Sequence, residues 1–445
     1  MPRPRTRPQT RHSPGSGHPS PDAAYASLVR VVASVTAAMA LAYLFHTGPV
    51  HCPNDQSRWN TVWSLVERGT YAIDGAPWEG TIDKIRRPDG HFYSSKPPLM
   101  PTILAGEYWL IKHTLGLDLK EKTAPVVRII LITTNIIPLF LFVLCWGRLV
   151  ERFVEDPWWR AYWLIAGAVG TYLTGYCTTL NNHIFAGFAV MFTLYFALRI
   201  EADHSRSPWD FVLLGTAAAW AACNEVPGVL FTVPVLAYFL WRAPRQTALF
   251  ALPPALVLGV AFLWTQYLAT GGFVPVYLKF DSALYQYEGS YWTQPKGIDA
   301  QHEPKLVYLT HMLLGHHGIF TLTPIFVLSA VGLWGLMRDR ETPHKPFQWL
   351  AACLSVLLVT LYTIRTNNYG GVCNGLRWLF WLTPLWLLAG AMGVRYYGRM
   401  VWARRAAVPF LAVSAFSALY ALCNPWTRSW LEDVFLWAKI IDYYK

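Results

Sequence analysis

A polar segment at residues 54–99 carries the side chains best suited to chemistry, because the segments on either side of it are almost entirely apolar. Asp55 lies in an Asn-Asp-Gln-Ser-Arg run, and Lys96 lies in the sequence His-Phe-Tyr-Ser-Ser-Lys-Pro-Pro. A carboxylate can deprotonate an acceptor hydroxyl group, and a lysine that two following prolines hold in place can bind a phosphate group. Charged groups are costly in or beside a membrane, so this segment is the first candidate for a functional site.

Both residues also have a purely structural interpretation. Asp55 fits the first turn of an amphipathic helix that continues to Val66, where an acid stabilises free backbone N–H groups. Lys96 could instead extend its amine toward lipid headgroups. Local chemistry leaves both interpretations open. Arg58 and Tyr93 lie in the same polar segment and are predicted substrate contacts.

Polar residues also interrupt the apolar sequence at two short turns. Asn182 and His183 either link helices through hydrogen bonds or contact a substrate. Glu225 is costlier to place between two apolar segments, and this cost favours a role in a site. We therefore predict that all three side chains contact substrate.

A glycine-rich stretch at residues 367–377 follows a later apolar run and contains Tyr369 and Arg377. Glycines let the backbone approach a ligand closely, and an arginine can hold a phosphate through two parallel hydrogen bonds. The stretch lacks the Lys-Ser/Thr ending of a P-loop. We predict that Arg377 contacts phosphate and that Tyr369 contacts substrate, although an arginine at the end of a span can also extend to the membrane surface.

The sequence does not identify a set of metal ligands. The adjacent residues His316 and His317 would point in different directions on a helix, which argues against a shared metal. The seven cysteines show no Cys-x-x-Cys or Cys/His ligand spacing. No cofactor is required by the pattern, although a carboxylate such as Asp55 could also hold a divalent metal.

The composition excludes an ordinary soluble domain. Of the 445 residues, 54% are hydrophobic and only 14% are charged, whereas about 25% are charged in a typical soluble protein. The net charge of +11 raises the question of nucleic-acid binding, but the lysines and arginines are spread through short loops between apolar runs. We therefore predict an integral membrane protein with no nucleic-acid partner.

Separated apolar runs predict an all-α, polytopic transmembrane bundle with about eleven spans and an amphipathic first outer loop. We expect the run Leu99–Leu115, which contains Glu107 and Lys112, to lie at the outer surface without spanning. The arginine-rich loops then face the cytoplasm, as the positive-inside rule requires. The predicted spans are residues 28–45, 129–146, 162–178, 184–198, 211–223, 226–241, 248–268, 319–336, 347–362, 378–394 and 408–422.

The chain divides into three parts on this topology. Residues 1–22 are rich in proline, arginine and serine and are expected to form a disordered cytoplasmic N-terminus. Residues 23–424 form one transmembrane domain, with a first outer loop at 47–128 and a second large outer loop at 271–317. Residues 425–445 carry several tryptophans and are predicted to form an interfacial tail on the outer side.

The order of these motifs resembles that of the GT-C membrane glycosyltransferases, in the branch that includes the lipid A aminoarabinose transferase and the protein O-mannosyltransferases. The likeness is strongest between Asp55 and Trp109: an acid after the first span, an aromatic helix, then Phe-Tyr-x-x-Lys-Pro-Pro and a Tyr-Trp helix. It implies a polyprenyl-phosphate-sugar donor and an inverting transfer on the non-cytoplasmic face. It also implies that Asp55 is the acid of the first loop and that Lys96 contacts the donor phosphate.

We therefore predict a glycosyltransferase that moves a sugar from a polyprenyl phosphate to a hydroxyl group of a lipid, glycan or protein. The expected location is a bacterial inner membrane, with surrounding membrane lipids as further partners. Two other classes remain open: a transporter or flippase for a lipid-linked substrate, and a membrane assembly protein without catalysis. A transporter should carry polar groups along the middle of its spans, whereas here they collect on one side.

Overall fold

The computed structural model describes residues 21–279, 282–341 and 344–444. Most of the predicted N-terminal segment 1–22 therefore lies outside the described residues. The first half of the chain is helical apart from one hairpin. Its helices are α1 (Pro21–His46), α2 (Pro53–Arg68), α3 (Leu99–Leu115), α4 (Thr123–Leu131), α5 (Ile137–Phe153), α6 (Pro157–Val169), α7 (Tyr172–Gly175), α8 (Asn182–Ala202) and α9 (Pro208–Asn224).

The second half continues as helices joined by short 3₁₀ turns. Its helices are α10 (Val229–Arg242), α11 (Pro244–Gln246), α12 (Leu252–Thr270), α13 (Lys305–Leu313), α14 (Ile319–Leu322), α15 (Ile325–Arg338), α16 (Lys345–Arg365), α17 (Thr383–Tyr397), α18 (Val401–Cys423) and α19 (Trp430–Trp437). The π-helical segments Ile132–Ile136 and Thr247–Ala251 make α4 continuous with α5 and α11 continuous with α12.

The predicted class of all-helical, multi-spanning membrane protein is confirmed. Within the described residues, six helices are long and apolar enough to cross a membrane: Ala23–His46, Thr123–Phe153, Asn182–Ala202, Pro244–Thr270, Lys345–Arg365 and Val401–Cys423. Two shorter apolar helices, Val226–Arg242 and Ile325–Arg338, match two more predicted spans. The remaining three predicted spans coincide with α6, α9 and α17. These have 13, 17 and 15 residues, and a helix of 17 residues extends only about 25 Å.

Helix α8 lies at the centre of the bundle and connects its two ends. It packs against α5, α9 and α17, and most of its side chains are buried. Its first residues, Asn182 and His183, lie at the end of the bundle that carries the outer-loop segments. At its other end Asp203 forms an ion pair with Arg152 in the last turn of α5, where two of the arginine-rich loops begin. Because a helix of 21 residues is about 31 Å long, these loops and the polar turn at Asn182 lie at opposite ends of the bundle.

The first outer loop forms a layer over one end of the bundle. Helix α2 packs against α3, and the Cys52 sulfur atom caps α2 by accepting a hydrogen bond from the Asp55 amide. A short antiparallel hairpin, β1 (Lys84–Arg86) and β2 (Phe92–Ser94), pairs Lys84 with Ser94. This register brings the residue before β1 next to the residues after β2.

Candidate functional site

A cavity of about 340 Å³ opens beneath this layer, where several loops meet the start of α8. Its wall combines the start of α2, the residues flanking the hairpin, the turn after α9, the second outer loop and the glycine-rich stretch. The polar and aromatic lining residues are Asn54, Arg58, Asp83, Lys96, Asn182, His183, Glu225, Tyr277, Tyr285, Tyr291, Trp292, Asp299, Asn368, Arg377, Trp378 and Trp426. Six predicted site residues are therefore brought together: Arg58, Lys96, Asn182, His183, Glu225 and Arg377.

A continuous chain of hydrogen bonds connects the two arginines of this wall. The Arg58 guanidinium donates to the side-chain oxygen of Asn182, whose amide nitrogen donates to Glu225 Oε1 at 2.7 Å. His183 Nδ1 contacts the same Glu225 oxygen, and His183 Nε2 lies 2.8 Å from Arg377 Nη1. Polar side chains from four separate segments thus form one network, which fixes the distance between the two guanidinium groups.

This network determines the tautomer of His183. An arginine can only donate, so His183 Nε2 must accept the hydrogen bond from Arg377 Nη1. The ring proton is then on Nδ1, which donates to Glu225 Oε1. His183 is therefore a neutral ring that positions Arg377, and it adds no positive charge to the cavity.

Neither arginine has a carboxylate partner among the described residues. Arg58 is only 1% exposed, yet Nη1 donates to the Asn54 backbone oxygen at 2.8 Å, and Nε has no hydrogen-bond partner. Arg377 donates from Nε and Nη2 to the Gly370 backbone oxygen, at 3.0 and 2.7 Å. Its guanidinium carbon also lies 5.0 Å from the centre of the Trp426 ring. Buried charges are normally paired, so two unpaired guanidiniums in one wall predict an anionic ligand.

Lys96 differs from the arginines, because a carboxylate accompanies it. Its Nζ lies 2.9 Å from Asp83 Oδ1, and both side chains are largely buried. Burial lowers the pKa of Lys96, and the neighbouring Asp83 carboxylate opposes this shift. A ligand phosphate can therefore bind the Lys96 ammonium group only by competing with the Asp83 carboxylate.

Burial weakens the negative charge of two other acids in the wall. It raises the pKa of Glu225 to about 8, with Arg377 and Arg58 acting in the opposite direction. Burial also raises the pKa of Asp299, which accepts hydrogen bonds from Asn368 at 2.6 Å and Tyr291 at 2.9 Å. With Glu225 largely protonated at neutral pH, the described lining carries more positive than negative charge.

Asp55 lies behind the wall of the cavity. It is completely buried and is not a lining residue, although Asn54 and Arg58 on the same helix are. Its Oδ2 accepts hydrogen bonds from the His51 amide at 3.2 Å and the Thr179 hydroxyl at 3.1 Å, and its Oδ1 has no partner. Burial raises the pKa of Asp55 to about 7. Its assignment as the catalytic carboxylate stays a prediction.

The two predicted tyrosine contacts lie outside the lining of the cavity. Tyr93 is buried in β2, and its hydroxyl donates to Asp89 at 2.9 Å. Tyr369 is buried with its hydroxyl on Glu303, although the neighbouring residues 368 and 370 do line the cavity. A substrate contact for either tyrosine stays a prediction.

Sequence reasoning missed several lining residues, including Asp83, Asp299 and Trp426. A signal for Asp83 was present, because Asp89-Gly90 between alternating apolar residues indicates a hairpin. That hairpin brings the residue before its first strand next to Lys96. Trp426 lies in the segment that was predicted to be an interfacial tail, but its indole nitrogen donates to the Thr179 hydroxyl at 2.8 Å inside the protein. No local pattern separates it from an interfacial tryptophan.

Comparison with known proteins gives a similarity in structure but none in sequence. No protein-family model matches the sequence, and neither does any curated protein. The chain is similar to the crystal structure of the Archaeoglobus fulgidus oligosaccharyltransferase, which was tethered through a disulfide bond to an acceptor peptide containing the NVT sequon. The sequence identity is 13% and the TM-score is 0.49, and the alignment covers 89% of this chain and 54% of the other. The chain thus spans about half the length of that oligosaccharyltransferase.

Proposed function

We propose that this protein is a membrane glycosyltransferase that moves one sugar from a polyprenyl-phosphate donor to a hydroxyl group of a lipid, glycan or protein. The observation that carries the proposal is the pair of guanidiniums, Arg58 and Arg377, which face one cavity without a carboxylate partner among the described residues. A phosphodiester supplies the single negative charge that such a wall requires.

The charge of the wall suits a phosphate leaving group. A polyprenyl-phosphate sugar carries one negative charge, and the departing polyprenyl phosphate carries a second when the bond between the sugar and the phosphate oxygen breaks. Donors that are already in place stabilise charge as it develops, without reorganisation during the reaction. In this proposal Arg58 and Arg377 bind the donor phosphate, and Lys96 adds its charge as the bond breaks.

The rest of the cavity suits a sugar ring. Tyr285, Trp292 and Trp378 line it together with Trp426, and aromatic faces pack against the apolar faces of sugars while hydroxyl groups reach polar neighbours. A volume of about 340 Å³ is within the usual range for small-molecule sites, about 300–1,000 Å³.

Two carboxylates are candidates for the base that deprotonates the acceptor. Asp83 lines the cavity and can reach a bound hydroxyl group directly. Asp55 has a pKa of about 7, which suits a general base at neutral pH, but the residues before it in α2 separate it from the cavity. Asp55 requires a rearrangement of that wall before it can act, whereas Asp83 does not.

The proposed location is a bacterial inner membrane, with the N-terminus in the cytoplasm and the cavity on the outer face. Arg152, in the last turn of α5, lies at the opposite end of α8 from Asn182, which is the arrangement that the positive-inside rule favours. Reporter fusions after Arg152 and after Gly289 test this orientation. We expect a cytoplasmic signal from the first and an outer signal from the second, and the reverse pattern would overturn the orientation.

The function is tested by incubating the purified protein with a short-chain polyprenyl-phosphate sugar and an extract of envelope acceptors. We expect polyprenyl phosphate to be released in equal amount to the sugar that appears on an acceptor, and Arg377→Ala to lower both signals about ten- to a hundredfold at limiting donor. The control is Lys120→Ala, which removes an exposed lysine of the first outer loop. Movement of intact donor across vesicles without bond cleavage would favour a flippase and overturn the proposal.

A further inference from the structure

A second group of polar side chains is buried behind the glycine-rich stretch. His316 and His317 lie between α13 and α14, and Glu432 lies in α19. All three are fully buried, and one ligand atom from each lies within 4.8 Å of the others. We refer to these three residues as the histidine cluster. The two histidines occupy a turn, so the divergence expected on a helix does not apply, and their ring centres lie 4.8 Å apart in an edge-to-face arrangement.

The hydrogen bonds of His316 determine which ring nitrogen is free. The Tyr443 hydroxyl donates to Glu303 Oε1 at 2.7 Å, so its oxygen must accept the contact from His316 Nε2 at 3.0 Å. The single proton of the neutral ring is therefore on Nε2. His316 Nδ1 is then an unprotonated lone pair inside the protein.

His317 directs its own Nδ1 toward the same place, 2.6 Å from His316 Nδ1. The ring also lies within hydrogen-bonding reach of the Gly371 and Cys373 backbones. A proton on His317 Nε2, which lies 3.9 Å from the Cys373 sulfur atom, leaves Nδ1 of His317 unprotonated as well. Two lone pairs at this separation repel each other unless a positive charge lies against both.

Glu432 supplies a third unsatisfied acceptor. Its Oε1 accepts a hydrogen bond from the Tyr444 hydroxyl at 2.8 Å, whereas the buried Oε2 has no partner. Buried polar atoms nearly always have a partner, so this oxygen also requires a cation or a proton. Within the described residues, no lysine or arginine forms an ion pair with this carboxylate.

We propose that the histidine cluster is a Zn²⁺ site with His316 Nδ1, His317 Nδ1 and the Glu432 carboxylate as ligands. Two imidazoles and a carboxylate are a usual set of protein ligands for zinc. The hydrogen bond from His316 through Tyr443 to Glu303 matches the outer partners that orient metal-binding histidines. The two ring nitrogens, which are 2.6 Å apart, must separate by less than about 1 Å for both to lie about 2.0–2.1 Å from one tetrahedral ion.

Three protein ligands leave the fourth position of a zinc ion open, and the place of the site in the fold gives the ion a stabilising role. The Tyr369 ring stacks on His317, with centroids 5.2 Å apart and planes at 22°, and Tyr369 lies in the stretch that carries Arg377. Glu432 belongs to the C-terminal helix α19, so a metal connects that helix to the back of the cavity wall. Metal binding is expected to stabilise this arrangement whether or not the protein is an enzyme.

The test measures the metal content of the full-length protein, loaded with Zn²⁺ and then dialysed. We expect about one zinc ion per chain in the wild type and at least a tenfold loss in Glu432→Gln and His317→Ala. The matched controls, Glu288→Gln and His302→Ala, change exposed residues of the second outer loop and should keep the wild-type content.

A second measurement covers variants that fail to fold. In the wild type, a zinc chelator should lower the temperature of thermal unfolding, and added Zn²⁺ but not Mg²⁺ should restore it. Wild-type protein that holds no stoichiometric zinc, or variants that hold as much as the wild type, would overturn the proposal and leave a proton shared between the two rings.

Discussion

The cavity and the histidine cluster are both built from buried polar groups. The cavity lacks a negative partner, whereas the histidine cluster lacks a positive one. In the cavity, Arg58 and Arg377 are donors without a carboxylate partner among the described residues. In the histidine cluster, the two Nδ1 atoms lie 2.6 Å apart and can share at most one proton, and one oxygen of Glu432 has no donor. Burying unpaired charge or unsatisfied polar atoms is costly, so each group indicates the sign of its missing partner. The cavity is suited to an anion, and the cluster to a cation.

The two regions share one structural element, the glycine-rich stretch at residues 367–377. Its Gly370 backbone oxygen accepts two hydrogen bonds from the Arg377 guanidinium, and Gly370 has a φ of +98°, which favours glycine. The neighbouring Tyr369 stacks on His317. A change in either region can therefore reach the other through this stretch.

The largest expected effect comes from the catalytic carboxylate of the cavity region. Asp83→Asn and Asp55→Asn keep the side-chain shape but remove the ability to accept a proton. The variant that loses the base should still bind donor at least as well as the wild type but transfer sugar about 10²- to 10⁴-fold more slowly. The measurement is single-turnover transfer with donor binding determined separately.

The pair of variants also decides between the two acids. Because Asp83 lines the cavity, we expect the large loss of transfer rate in Asp83→Asn. Asp55→Asn tests whether Asp55 stabilises its helix or takes part in catalysis. An asparagine caps a helix about as well as an aspartate does, so near-normal turnover in Asp55→Asn would leave Asp55 a structural role. Asp118→Asn, in the same outer loop, is the control.

The next effect concerns the unpaired arginines. Arg58→Ala and Arg377→Ala should each weaken donor binding about ten- to a hundredfold, since a charge-assisted hydrogen bond is typically worth about 1.5–3 kcal/mol. Lys96→Ala should weaken it less, because Asp83 already holds the lysine. Binding isotherms with the donor lipid measure this difference. Equal losses at all three positions would contradict the distinction between paired and unpaired cations.

A smaller effect is expected where Trp426 covers the Arg377 guanidinium. Replacing Trp426 with leucine keeps an apolar side chain but removes the ring 5.0 Å from the guanidinium carbon. Cation–π contacts contribute roughly 0.5–2 kcal/mol, so donor affinity should fall about two- to thirtyfold. Trp437→Leu, at the exposed end of the same tail, is the matched control and should have no effect.

The smallest expected effect is the pH dependence of donor binding. Burial raises the pKa of Glu225 to about 8, so this carboxyl is largely neutral at pH 7 and becomes charged as the pH rises through that value. The new negative charge reduces the positive excess of the wall, so donor affinity should fall several-fold between pH 7 and pH 9. Glu225→Gln should remove this dependence, and an unchanged pH profile in that variant would exclude Glu225 as its cause.

Sequence reasoning found the elements of the cavity because polar residues stand out in an apolar chain. Asn182, His183, Glu225 and Arg377 were identified in this way, although they lie far apart in sequence. Their network was not predictable, because it depends on α8 lying beside the turn after α9 and the glycine-rich stretch.

The misses have a different physical origin. Asp83 and Trp426 lie in loops where polar and aromatic residues are ordinary, so only the packed structure distinguishes them. The turn that brings the rings of His316 and His317 together was not predictable from two adjacent histidines. The all-helical, multi-spanning class was predictable from composition and run length alone.

In the proposed function, the cavity holds a lipid-linked phosphate between Arg58 and Arg377. The most direct test is mass spectrometry of lipids that remain bound to the purified protein, compared among the wild type, the Arg58→Ala/Arg377→Ala double variant and Lys120→Ala. A polyprenyl phosphate or its glycosylated form should be retained by the wild type and the control and lost from the double variant. Equal retention in all three, or no phosphate-bearing lipid in any, would contradict the account.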